Sequence, residues 1–198
     1  MLAQVAAQQT TFDLFQTFAA YYDAAVRARG KYAGQIRLLV GFEAEYIRAS
    51  SLDIVRGLQD LYKFDFFVGS VHHVNAIPID FDRALYARAL QSVSPAGCED
   101  ALFEAYLDAQ LEMLAALTPA VVGHFDLIRL MAADPARPLS AYAPAVWDKA
   151  RRNLRFVKSY NGLLELNSAS LRKGWDTPYP GRDVCEVGPP RPRCACVC

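Results

Sequence analysis

Four apolar runs, each ending in or carrying a polar side chain of the kind that binds metals, constrain the fold of this chain more than any other feature. Residues 35–43 read Gln-Ile-Arg-Leu-Leu-Val-Gly-Phe-Glu, and residues 64–73 form a similar run that ends in two imidazoles. Residues 119–124 (Pro-Ala-Val-Val-Gly-His) repeat the design, and residues 162–167 (Gly-Leu-Leu-Glu-Leu-Asn) add a carboxylate and an amide. Near-continuous apolar runs of this length suit strands of a parallel sheet buried on both faces.

Helical patterns lie between the runs. Leu52, Val55, Leu58 and Leu61 recur at spacings of three behind Ser50 and Ser51, which are suited to cap a helix. Leu102, Tyr106, Leu107, Leu111, Leu114 and Leu117 make a longer stripe, opened by Glu99 and Asp100 and closed by Pro119. Val146, Ala150, Leu154 and Val157 form a third. Ahead of the first run, residues 12–29 predict a helix with Phe15, Phe18, Ala19 and Tyr22 on its buried face. Strand followed by helix, repeated, predicts βα units of an α/β fold. With polar groups at the strand ends, the natural closed form is a TIM-like barrel whose site lies at the C-terminal strand ends.

Composition narrows the function. A chain of 198 residues, 53% hydrophobic, can bury one sizeable core. Lys plus Arg and Asp plus Glu number 21 each, so no basic field attracts a nucleic-acid backbone. No apolar stretch reaches the roughly 20 residues that span a bilayer, and no basic-then-apolar leader opens the chain. The expectation is a cytoplasmic protein with neither nucleic-acid nor membrane partners.

Four of the five cysteines fall at or after Cys185, which makes a disulfide framework for the domain unexpected. The end of the chain reads Gly-Pro-Pro-Arg-Pro-Arg-Cys-Ala-Cys-Val-Cys, with a proline density that opposes helix and central strand. The division expected is a domain over residues 1–186 and a disordered tail over 187–198.

The runs also carry a resemblance. Leu39-Val-Gly-Phe-Glu-Ala-Glu, Phe64-Asp-Phe-Phe-Val-Gly-Ser-Val-His-His-Val, Val122-Gly-His-Phe-Asp-Leu-Ile-Arg and Leu164-Glu-Leu-Asn-Ser-Ala-Ser-Leu-Arg-Lys-Gly together resemble the histidinol-phosphatases of the polymerase-and-histidinol-phosphatase (PHP) superfamily, in their fungal form. The likeness covers residues 11–186, and four blocks in the right order make it specific. It implies a distorted seven-stranded β/α barrel, incomplete in this chain, with divalent zinc, manganese or iron ions, hydrolysing L-histidinol phosphate in histidine biosynthesis. By block it implies Glu43, His72 and His124 as metal ligands, and Arg129 and Arg172 as positions that hold the substrate phosphate.

Elementary chemistry is compatible with those roles, since a carboxylate and neutral imidazoles suit zinc or manganese, and an arginine fork suits phosphoryl oxygens. Each residue has a plainer alternative. Glu43 could be a solvated edge carboxylate, His124 a hydrogen-bonded core imidazole, Arg129 a salt-bridge partner of Asp126 or Asp134, and Arg172 a solvated charge. His72 and His73 alternate faces on a strand, so one of them points to the site; His72 is the choice and His73 the alternative. Glu165 and Asn167 share a strand face and suit the wall of the site. Asp65, Asp80 and Asp82 receive no chemical role, and no donor for the leaving alkoxide is identifiable.

The family's His-x-His and Asp-x-His ligand pairs have no counterpart here, because the three histidines are at 72, 73 and 124. Two expectations follow: a histidinol-phosphatase domain represented only in part and inactive by itself, with another phosphoesterase of the same superfamily as the runner-up among enzymes, or a non-catalytic relative that binds a partner through exposed strand edges.

Overall fold

The computed structural model describes residues 10–172 and 174–187, together with the backbone of Cys194–Ala195. Its centre is a parallel sheet in the order β1-β2-β5-β6-β7. These strands are Gly41–Tyr46, Phe66–Val71, Val121–Val122, Leu163–Glu165 and Cys194–Ala195; β3 (His73–Val74) and β4 (Ile77–Pro78) form a separate antiparallel hairpin. The helices are α1 (Thr11–Lys31), α2 (Ser50–Leu61), α3 (Arg83–Val93), α4 (Glu99–Leu117), α5 (Pro144–Ser159), α6 (Ala169–Arg172) and α7 (Arg182–Glu186). The fold is α/β, an incomplete wall of a distorted barrel in which β1 and β7 end the order among the described residues.

The strands are shorter than the apolar runs that predict them. Residues 35–40 precede β1, because ladder pairing begins where Gly41 meets Phe66. Glu43 consequently sits within β1, opposite Val68, rather than at its end. Backbone ladders need a partner as well as an apolar pattern, and the pattern alone does not mark where the partner starts.

Helix α4 anchors the core, with Leu102, Phe103, Tyr106, Leu107 and Leu114 wholly buried. It packs along α5 and beneath β2, where Gly69 admits Met113 and Pro119 so closely that a Cβ there would lie 2.6 Å from Met113 Sδ. Gln110 and Asn153 cross the helix pair: Asn153 Nδ2 donates to Gln110 Oε1 at 3.0 Å and to the Leu107 carbonyl at 2.7 Å.

Two helix faces differ from their sequence patterns. Leu61 is exposed at the end of α2, and Phe15 is exposed on α1. Ser51 does not cap α2 from the N-cap position, which is Ala49. Its hydroxyl instead accepts from the Ile47 and Arg48 N–H groups, tying the β1–α2 turn. The start of α1 is closed by a capping box in which Thr10 and Asp13 exchange hydrogen bonds. That helix is docked by rings: Phe18 lies 5.6 Å from Phe42 and 5.5 Å from Tyr62 between centroids.

Asp65 and Asp82 have structural duties. Asp65 pairs with Arg29 at 2.8 Å and accepts from Val40 N, while Asp82 caps α3 through Leu85 N. Most of the expected disordered tail lies outside the described residues; within it, Cys194–Ala195 run parallel to β6.

Candidate metal centre

Strand direction delivers the polar groups to one place. His72 follows the last residue of β2, His124 comes two residues after β5, and Glu165 ends β6, so three neighbouring parallel strands release these side chains at their C-terminal ends. Glu43 reaches the same place from β1. One potential ligand atom from each of Glu43, His72 and His124 lies within 4.8 Å of the others. His124 Nε2 is 3.3 Å from Glu43 Oε1, His72 Nε2 is 4.0 Å from the same oxygen, and the two imidazole centroids are 4.6 Å apart.

The electrostatics favour the ligand form of Glu43 and His72. The hydrogen bond with His124 outweighs burial and holds the Glu43 carboxyl at about 2, well below its ordinary value. Burial first, and then the charge of His124, push the His72 imidazole down, favouring its neutral form. One carboxylate and two imidazoles fit a divalent cation such as zinc, and they equal in number the protein ligands of a catalytic zinc site that keeps its fourth position open.

Glu45 joins the cluster although the sequence reading gave it no role. It lies two residues from Glu43, hence on the same face of β1, and that period was the available signal. Its Oε1 is 2.7 Å from His73 Nδ1 and 3.7 Å from His72 Nδ1. Burial raises its carboxyl and the His73 contact, with help from His72, more than reverses that, leaving it low. His72 lies between β2, in the parallel sheet, and β3, in the hairpin, so the two imidazoles do not belong to one continuous strand and both flank one carboxylate. The hairpin that follows is tied to this junction, with Ile79 N donating to the His72 carbonyl at 2.9 Å.

His124 has φ +21°, a costly region for a residue with a Cβ. Its N–H donates to Glu165 Oε2 at 2.7 Å, and Asn167 Nδ2 donates to Glu165 Oε1 at 2.9 Å. Gly123, just before it, leaves no space for a side chain beside Val68 and Ser70.

The two arginines lie in different settings. Arg129 is 2% exposed in a 3-10 helix, Leu127–Met131, and pairs with the buried Asp126 at 2.7 Å. Its Nε and Nη2 donate to the Pro135 carbonyl, and its guanidinium lies 5.4 Å from the Trp175 ring. Arg172 is exposed at the end of α6. The cluster therefore consists of Glu43, Glu45, His72, His73 and His124, with Glu165 behind it, while Arg129 is engaged elsewhere.

Comparison with known proteins places the chain in a family. The model of the PHP domain family matches residues 7–169. A "Probable histidinol-phosphatase" of Schizosaccharomyces pombe is 42% identical over 175 residues, covering 88% of this chain and 56% of that protein. A "Histidinol-phosphatase" of Saccharomyces cerevisiae is 33% identical, covering 76% of this chain and 51% of that protein. The chain thus spans about half the length of the curated relatives it matches. Two crystal structures share the fold. One, from Listeria monocytogenes, is assigned by name only as a histidinol phosphatase, with TM-score 0.67, 24% identity and coverage of 87% of this chain and 66% of that one. The other is a Lactococcus lactis histidinol phosphate phosphatase complexed with zinc, L-histidinol and phosphate, with TM-score 0.57, 17% identity and coverage of 76% and 54%.

Proposed function

Because the chain belongs to the PHP domain family, we propose that it forms the part of a histidinol-phosphatase that contributes Glu43, His72 and His124 to a divalent-metal site. The reaction is hydrolysis of L-histidinol phosphate to L-histidinol and phosphate, as in histidine biosynthesis. The observation that carries the proposal is the convergence of one carboxylate and two imidazoles at the C-terminal strand ends, in a chain whose curated relatives bear that name.

A divalent ion held there would supply positive charge to the phosphoryl oxygens and lower the pKa of a bound water toward roughly 7. The chain's own residues do the rest. Glu43 and His72 are held toward their deprotonated forms, His124 presents its imidazole beside Glu43, Glu45 holds His73 and His72 from the side, and Glu165 supports the His124 backbone. Arg172, exposed on α6, is the arginine free to orient a phosphate; Arg129, bound to Asp126 and Pro135, serves as scaffold. The substrate is a small phosphate ester in the cytoplasm, and neither nucleic acid nor membrane takes part; among the described residues no helix is long and apolar enough to cross a membrane.

The test is zinc retention by the purified chain, read by elemental analysis after dialysis, beside phosphate release from histidinol phosphate by a version extended to the length of its relatives. Zinc that is retained by the chain and lost in His124→Ala and Glu43→Ala, with chelator-sensitive turnover in the extended protein, is the expected result. Absence of zinc in the parent, or equal zinc in all three, overturns the site.

A further inference from the structure

We propose that Glu165 is the positioning residue of the metal centre: its carboxylate holds the backbone of His124 in an unfavourable conformation, so that the imidazole faces Glu43. This inference rests on the metal-site reading above and adds a residue that does not itself reach the cluster.

The side chain of Glu165 is 8% exposed and both of its oxygens are engaged. Oε2 accepts the His124 N–H at 2.7 Å, and Oε1 accepts from Asn167 Nδ2 at 2.9 Å. A charge-assisted hydrogen bond to a backbone N–H is among the stronger ones available, and here it acts where the backbone most needs support, at φ +21°. Position and partner also agree in the sheet. β5 and β6 are adjacent, with Val122 opposite Leu164, so the residue ending β6 stands beside the loop that leaves β5.

Asn167 is fixed in turn. Its Oδ1 accepts from Ala169 N at 2.8 Å, which turns its NH2 toward Glu165, and its backbone exchanges hydrogen bonds with Tyr179. The line Ala169, Asn167, Glu165, His124 therefore has one donor and one acceptor at each junction. It predicts a specific failure: the amide of Glu165→Gln can satisfy the His124 N–H with its carbonyl only by setting its NH2 against the NH2 of Asn167. It also predicts a specific rescue. In E165Q/N167D, the new amide NH2 at position 165 meets a carboxylate oxygen at position 167, whose other oxygen still accepts from Ala169 N, and the net charge equals that of the parent.

The experiment compares parent, E165Q, N167D and E165Q/N167D in two ways. Zinc affinity is measured by titration of the metal alone, and hydrogen-exchange protection of the His124 backbone amide is measured by NMR on the metal-free protein. The expected result is a loss of about 10–100-fold in zinc affinity for E165Q, the usual size of such a supporting contact, with the affinity mostly recovered in the double variant. The His124 amide loses protection in E165Q and regains it with the rescue. A parent that binds no zinc would sink the metal reading, while the amide protection would still decide the role of Glu165. Unchanged protection in E165Q, or a double variant no better than the single, would overturn the positioning role. So would failure of both E165Q and the double variant to fold, which would make Glu165 a general scaffold residue.

Discussion

Arg129 and Asp126 form an ion pair of 2.7 Å in which neither side chain is more than 2% exposed. Asp126 Oδ2 also accepts from Gly181 N, so one carboxylate ties the segment after His124 to the segment before α7. Burial raises the Asp126 carboxyl, against the lowering effect of Arg129. Removing the arginine alone would leave that carboxylate without its main compensation. Arg129→Met is therefore expected to destabilise the fold by about 3–5 kcal/mol, the usual cost of breaking a buried pair. Chemical denaturation checks this, and D126N/R129M should recover part of the loss. An R129M variant of parental stability would mean that the pair is not the scaffold described here.

Gly69 is a point of close approach of the sheet to α4. A Cβ at this position would lie 2.6 Å from Met113 Sδ and 2.7 Å from Pro119 Cγ. Gly69→Ala should cost about 1–3 kcal/mol by overpacking. Because His72 lies three residues further along, it should also lower zinc retention. A thermal melt and a metal assay on the same sample separate this variant from Gly57→Ala, where an added Cβ meets open space.

The hairpin that follows His72 turns through Asn75 and Ala76, with φ +50° and +59°. Asparagine tolerates that region; alanine does so at a cost. Ala76→Gly is expected to stabilise the chain by up to about 1 kcal/mol, within the range for relieving a left-handed residue. An unchanged or lower denaturation midpoint would contradict it.

Alkaline pH should unfold the protein through its buried phenols. Burial raises Tyr46, Tyr86, Tyr106, Tyr160 and Tyr179, and burial with the Glu99 carboxylate pushes Tyr142 up to about 12, all from an ordinary value of 10.0. The folded state holds these protons more tightly than the unfolded chain. Their contribution is therefore complete below pH 10 and is lost as pH rises through the folded-state values. Tyrosinate absorbance should rise together with the loss of helical circular dichroism. Full phenol ionisation in a chain that stays folded would contradict the burial of these groups.

The chain by itself is expected to show negligible phosphate release from histidinol phosphate, even with added zinc or manganese, because Glu43, His72 and His124 are too few to hold a hydrolytic cluster of two or three ions. In a version extended to the length of its relatives, Arg172→Ala should raise KM with little change in kcat. Turnover by the unextended chain equal to that of the extended one would refute the first expectation, and unaltered kinetics in the arginine variant the second.

The sequence by itself determined the chain order of four strands and four helices and the chemistry available at the strand ends, but not the β3–β4 hairpin, α3 or β7. Apolar runs with embedded Glu and His are local features, and a period of two or three to four residues is enough to expose them. The stripe along α4 was legible for the same reason, since Leu102, Tyr106 and Leu114 repeat on one helix face that is wholly buried. Only the tertiary structure decided the rest. The start of β1 depends on where Phe66 lies, the inclusion of Glu45 on its contact with His73, and the confinement of Arg129 on the burial of Asp126. The first two are contacts between segments distant in the chain; the third joins residues three apart, and what the sequence does not carry there is the burial. An arginine that pairs with a buried aspartate reads, as a sequence, the same as one that waits for phosphate. Burial and partner distance separate the two, and both are properties of the folded chain alone.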